Sequence, residues 1–181
     1  MKKSQIRKKF LKLRKNKLKK IKTINHNNII KLLKKKGIKG KIVGGYYPYN
    51  NELDCIQILE KLEKKNYIIS LPKIKKNFQM DFIQWSSKEP LVINKFGIPE
   101  PSNGKIKFPD ILLIPLLSFD KKLNRVGYGG GFYDRYIHKL KSKKKPLLVG
   151  LAYSFQRVRS IPLNRYDKKL DFVVTERKII E

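Results

Sequence analysis

Apolar and polar positions along the chain change period several times, and each change marks an element. From Lys3 to Lys22, Ile6, Phe10 and Leu13 recur at three- and four-residue spacing, with Leu18 and Ile21 less regular, which predicts an amphipathic helix over 3–22. A second helix is predicted from about Asn27 to Lys36, with Gly37 as its stop. KIVGGYY (41–47) reads as a strand ended by Pro48, and a helix over about 54–65 turns Ile56, Leu59 and Leu62 inward. Tyr67 to Leu71 reads as a strand closed by Pro72, and Gln79 to Trp85 as another. Residues 95–101 (KFGIPEP) cannot be helical, because prolines flank Glu100, and 102–108 reads as a loop. The unbroken apolar run from Ile111 to Phe119 is a buried strand, followed by glycines and then a helix with Phe132, Tyr136 and Leu140 on one face. Pro146 ends the charged exit from that helix, Leu147 to Tyr153 is a further buried strand, and Phe172 to Thr175 a last short one. The order ααβαββ…βαββ predicts a three-layer αβα sandwich around a mostly parallel or mixed sheet. One domain over 1–181 is expected, with the helices of 1–36 packing on the sheet.

The densest chemistry lies in 125–136, RVGYGGGFYDRY. A strand, a glycine loop and a helix in that order place free backbone N–H groups and a helix N-terminus beyond the carboxyl edge of the sheet, which suits an anion. The loop matches neither common nucleotide fingerprint. Phe132-Tyr133 stand where a P-loop needs Lys-Ser/Thr, and Phe132 occupies the last glycine of G-x-G-x-x-G counted from Gly127. Upstream, Lys3 and Arg7 lie four apart on one helix face, able to hold a polyphosphate or simply to be solvated. Glu52 falls in the crossover after a strand, where such sheets gather ligand groups, although the helix dipole alone favours an acid there.

Composition narrows the class. At 181 residues and 40% hydrophobic the chain can bury a core, and no run approaches the ~18 apolar residues of a membrane span. The basic N-terminus lacks the apolar stretch of a secretory signal, and a lone Cys55 suits a reducing compartment, so a cytoplasmic location is expected. That thiol and the distant His26 and His138 are too few for zinc. A net charge of +30 raises a nucleic-acid reading. The excess is mostly Lys, spread end to end among Ile and Asn, as codon bias in an AT-rich genome produces. No helix-turn-helix, finger or RNP signature accompanies it.

PDILLIPLLSFD and RVGYGGGFYDRY, preceded by YYPYNNELD, Trp85 and FGIPEP, resemble the 5-formyltetrahydrofolate cyclo-ligase (methenyltetrahydrofolate synthetase) family over nearly the whole chain. The resemblance implies a fold like the ribose-phosphate isomerase, glucosamine-phosphate deaminase and CoA-transferase group. It also implies ATP- and Mg2+-dependent closure of 5-formyltetrahydrofolate to 5,10-methenyltetrahydrofolate. By the same resemblance Lys3, Arg7, Arg125, Val126, Gly127, Tyr128, Gly129, Gly130, Gly131, Phe132 and Tyr133 hold ATP. Arg125, Tyr133 and Asp134 are catalytic, and Asp134 and Asp167 face the metal. Tyr47, Glu52 and the segment Tyr128–Phe132 hold the folate, and Trp85 stands either beside that pocket or equally in the core. Val126 and Phe132 depart from the family's usual leucine and tyrosine, and Gly130 follows its bacterial type. The implied partners are ATP and 5-formyltetrahydrofolate, with or without a polyglutamate tail, and a monomer without membrane or specific nucleic acid is expected. The alternatives are a basic nucleic-acid-binding α/β module and another enzyme of the fold, such as a sugar-phosphate isomerase or acyl-CoA transferase.

Overall fold

The fold is that of a computed structural model, which describes residues 1–17, 27–35, 37 and 40–181. Helix α1 spans Lys3–Lys17 and α2 Asn27–Lys35. Leu18, Ile21 and Lys36, parts of the two expected N-terminal helices, lie outside the described residues. Strand β1 (Ile42–Gly44) leads through α3 (Ile56–Glu63) to β2 (Ile68–Ile74) and β3 (Met80–Gln84). Then come β4 (Leu91–Ile93), β5 (Pro99–Pro101), β6 (Ile106–Lys107), β7 (Ile111–Pro115), β8 (Ser118–Phe119) and β9 (Arg125–Val126). Helix α4 (Phe132–Lys141), β10 (Leu147–Leu151), β11 (Phe172–Val174) and β12 (Ile179–Ile180) complete the order.

Among the described residues one eight-stranded sheet runs β12-β11-β10-β7-β1-β2-β3-β6. Its middle pairings, from β11 across to β2, are parallel, and both edges are antiparallel. Alternation along β7 explains the layers. Ile111 and Leu113 pack with Ile29, Leu32, Leu59 and Leu62 of α2 and α3, while Leu112 and Ile114 pack with Tyr136, Ile137 and Leu140 of α4. Helices therefore cover both faces of a mixed sheet, the expected α/β layering. Helix α1 lies apart from them. Its Ile6 and Phe10 cluster with Leu117, Val126 and Ile161, beside the β8–β9 ribbon.

The structure corrects several boundaries. The apolar run 111–119 is not one strand: it breaks after Pro115, and β8 turns away to pair with β9. All of Leu116, Leu117 and Phe119 are still buried, so burial alone made the run look continuous. Pro72 does not close β2, which continues to Ile74. Beyond Ser70 only β3 pairs with it, so the missing N–H of Pro72 interrupts no ladder on the β1 side. In α3 the inward residues are Ile58, Leu59 and Leu62, with Ile56 only partly buried. The proline-flanked 95–101 segment contains a strand, β5, paired to β4 as a hairpin, and β6 and β12 are short edge strands within or beyond expected loops.

Candidate active site

Topology fixes where a ligand can sit. From β1 the chain crosses by α3 to β2, and from β7 it crosses by α4 to β10, on the opposite side and over the opposite face. Strands β1 and β7 are neighbours, so their carboxyl ends diverge into a crevice at a switch of direction. Residues 45–52 leave β1 there, and Leu116 onward leaves β7. A cavity of about 1130 Å³ occupies this place. It lies slightly above the roughly 300–1,000 Å³ usual for a small-ligand pocket.

The glycine loop forms one wall. Gly129 and Gly131 have φ of +109° and +68°, a region open to glycine and strained for other residues. Gly131 is also the residue before α4, whose first turn no side chain caps. A Cβ on Gly129 would stand 3.2 Å from the guanidinium carbon of Arg7. Arg7 Nε donates to the Gly127 carbonyl at 2.9 Å, so α1 delivers a cation directly onto the loop. Lys3, one turn earlier, pairs with Asp167. Asp167 also accepts from the Asn164 N–H at 2.7 Å, closing its own turn. Arg125 Nη2 donates to Asp134 at 2.6 Å and Nη1 to the Lys168 carbonyl, while the Lys168 N–H reaches the same Asp134 oxygen at 3.1 Å. The loop, α1 and the segment 164–168 are thus laced together by charge.

The other wall is aromatic. Tyr46, Tyr47, Tyr49, Tyr128 and Tyr133 line it around Glu52. Burial pushes the Glu52 carboxyl up to about 7, against opposing pulls from the Tyr49 backbone N–H, the Arg14 charge and the Tyr128 hydroxyl. The Tyr49 N–H donates to Glu52 Oε2 at 3.0 Å. Tyr133 has a buried hydroxyl without a partner among the described residues, and burial holds its pKa well above the ordinary phenol value.

Most of the expected site residues therefore meet in one cavity: Lys3, Arg7, Tyr47, Glu52, Arg125, residues 126–134 and Asp167 all line it. Trp85 does not. It packs at 7% exposure among residues of α2, α3 and the sheet, and its indole N–H donates to the Glu89 carbonyl at 3.0 Å. Two arginines went unforeseen. Arg135 donates to the carbonyls of Phe78 and Gly130, pinning the loop from outside. Arg14 lies buried under the aromatic wall. Its signal was a cation four residues after Phe10, on the apolar stripe of α1.

Comparison with known proteins identifies the family. The profile of the 5-formyltetrahydrofolate cyclo-ligase family matches residues 1–176. The chain belongs to that family. A 5-formyltetrahydrofolate cyclo-ligase of Haemophilus influenzae is 34% identical over 140 residues, covering 73% of this chain and 74% of the relative. A probable 5-formyltetrahydrofolate cyclo-ligase of Schizosaccharomyces pombe is 37% identical over 142 residues, covering 70% and 69%. The solved 5,10-methenyltetrahydrofolate synthetase of Aquifex aeolicus superposes with a TM-score of 0.79 at 32% identity, over 99% of this chain and 92% of its own. That of Mycoplasma pneumoniae, at 24% identity and a TM-score of 0.69, shares the fold over 97% and 99%. Membership in the cyclo-ligase family makes the chain an enzyme and disfavours the nucleic-acid module. No helix among the described residues is long and apolar enough to cross a membrane.

Proposed function

We propose that this cyclo-ligase family member closes 5-formyltetrahydrofolate to 5,10-methenyltetrahydrofolate at the expense of ATP. The observation that carries the reading is the cavity at the β1/β7 switch, with a cation-backed glycine loop on one wall and Glu52 among tyrosines on the other. A formamide carbonyl is a poor electrophile, and its oxygen a poor leaving group. Attack of the formyl oxygen on the γ-phosphorus breaks the bond to ADP and leaves that oxygen phosphorylated. N10 then bonds to the formyl carbon and gives up its proton, and phosphate departs with the former formyl oxygen.

Phosphoryl transfer asks a protein chiefly for alignment and for positive charge near the moving group. Backbone N–H groups of residues 127–133 and the uncapped start of α4 would cradle the phosphates. Arg125, Arg7 and Lys3 would exchange their present partners for phosphate oxygens. The unpartnered Tyr133 hydroxyl would donate to the oxygen being transferred. Glu52 would accept from the amino and ring N–H groups of the pterin, with Tyr47 beside it.

Magnesium fits this set in a particular way. Among the described residues no group of three His, Cys, Asp or Glu side chains stands ready to hold a metal ion. Asp134 and Asp167 line the cavity, each already paired with a cation. Magnesium takes one or two carboxylates together with waters and substrate phosphates, so these residues suit an ion that arrives with the nucleotide. When bound, it neutralises charge on the phosphates. Mixing the protein with Mg-ATP and 5-formyltetrahydrofolate should raise methenyltetrahydrofolate absorbance. Folded protein that gives no rise overturns the proposal.

A further inference from the structure

Arg14 takes no part in the reaction as written, yet it is 1% exposed and its bonds span the cavity. Burying a guanidinium is unfavourable unless its donors are satisfied. Nη1 donates to the Asn50 carbonyl at 3.1 Å and to the Tyr128 hydroxyl at 2.8 Å, and Nη2 donates to the Leu116 carbonyl at 2.7 Å. Nε is buried without a partner among the described residues. The three acceptors belong to the turn before Glu52, to the glycine loop and to the end of β7. One planar fork thus joins three segments brought together only by the fold.

Two details give these bonds consequence. Asn50 and Asn51 both hold left-handed backbone, with φ of +46° and +60°, so the turn that aims Glu52 is kept in place by its surroundings. The Tyr128 oxygen accepts from Arg14, which leaves the tyrosine proton for acceptors on the Glu52 turn, such as the Tyr49 carbonyl 3.3 Å away. The Tyr49 and Tyr128 rings also meet, with centroids 6.0 Å apart. Tyr128 therefore belongs to the phosphate-side loop by sequence and to the Glu52 turn by contact.

We propose that Arg14 is a positioning residue that couples the two halves of the cavity, holding Tyr128 of the glycine loop and the Glu52 turn as one unit. The inference rests on the nucleotide-and-folate reading of the cavity. Closure of the loop on phosphates displaces Tyr128, and the shared guanidinium passes that displacement to Asn50 and so to Glu52. Linkage makes the effect reciprocal: folate on Glu52 alters nucleotide affinity by the same factor.

The test is calorimetric titration of the intact chain with 5-formyltetrahydrofolate, with and without a non-hydrolysable ATP analogue and magnesium. The unchanged protein, Arg14→Met, Arg14→Lys and Tyr128→Phe are compared. In the unchanged protein the analogue should strengthen folate binding about fivefold or more. Arg14→Met and Tyr128→Phe should bring that factor close to one, while Arg14→Met leaves the analogue's own affinity nearly unaltered. Arg14→Lys, which keeps the charge and loses the fork, should fall between. Unchanged coupling in folded Arg14→Met overturns the inference, as does a factor of one in the unchanged protein. A parallel loss of both affinities with a lowered melting temperature overturns it too, since that marks a merely structural arginine. Should Arg14→Met fail to fold, Arg14→Lys decides: a coupling factor equal to that of the unchanged protein overturns the inference. Protein that binds neither ligand defeats the cavity reading and this inference together, whereas binding of both with coupling intact in the variants defeats this inference only.

Discussion

On the glycine-loop side of the cavity both lining carboxylates already have cations: Asp134 has Arg125, and Asp167 has Lys3. On the tyrosine side Glu52 has no ion pair in contact among the described residues; it meets an N–H from Tyr49, the Tyr128 hydroxyl and the more distant charge of Arg14. On the proposed reading of the cavity the two walls suit different ligands for that reason. A magnesium-bound triphosphate brings charges of both signs, so cations and carboxylates can trade partners without any charge being left unpaired. A neutral heterocycle brings no charge. Its recognition depends on a carboxylate whose hydrogen bonds are strengthened by being held away from water.

The largest expected effect breaks the loop side. Arg125→Ala should lower kcat by roughly 10²–10³, the scale for removing one donor from a developing anion, while folate affinity changes little. Single-turnover kinetics checks this, and a loss below tenfold means charge does not build up at that wall. Glu52→Gln should sharpen the contrast, weakening folate binding about 10- to 100-fold at pH 8, the worth of hydrogen bonds to a charged acceptor, with ATP affinity kept. Because the Glu52 carboxyl titrates near 7, folate affinity of the unchanged protein should rise as pH passes through that value, and the Gln variant should not share the rise.

The same shift carries a stability sign. An acid raised from 4.5 to about 7 binds its proton more tightly when folded. Its effect on stability is therefore neutral below the ordinary value, increasingly unfavourable as pH climbs from there to about 7, and level above it. Melting curves should accordingly show Glu52→Gln gaining on the unchanged protein between pH 5 and pH 8. Next in size, Asp134→Asn should cut turnover about tenfold and raise the magnesium concentration needed for half-maximal rate. Unaltered magnesium dependence would remove Asp134 from the metal. Lys3→Ala should do least: its pair with Asp167 is partly exposed, so stability should fall by less than about 1 kcal/mol, with a few-fold rise in the KM for ATP.

The glycine loop was legible because its chemistry is local. Positive φ at Gly129 and Gly131 and a following amphipathic helix are properties of neighbours in the chain. The break in the 111–119 run was not, since Leu116 is buried in the core under α4 and Leu117 by β9 and α1, elements that arrive from elsewhere. Pro-Glu-Pro concealed β5 for a related reason: Glu100 is satisfied by the Ile74 N–H and the Asn94 side chain, contacts that residue type alone does not announce. For Trp85, open between pocket and core in the sequence, packing against α2, α3 and the sheet selects the core.

By itself the sequence determined the alternating faces of the strands, the anion-ready loop and the family, because periodicity, glycine geometry and motif order are all written in consecutive residues. Tertiary structure alone decided that α1 would lay Arg7 on that loop, that Arg14 would be buried beneath Tyr128, and that Glu52 would lose enough water to titrate near neutrality. Burial and long-range hydrogen bonding depend on which surfaces meet, and the meeting of β1 with β7 is a property of the folded sheet.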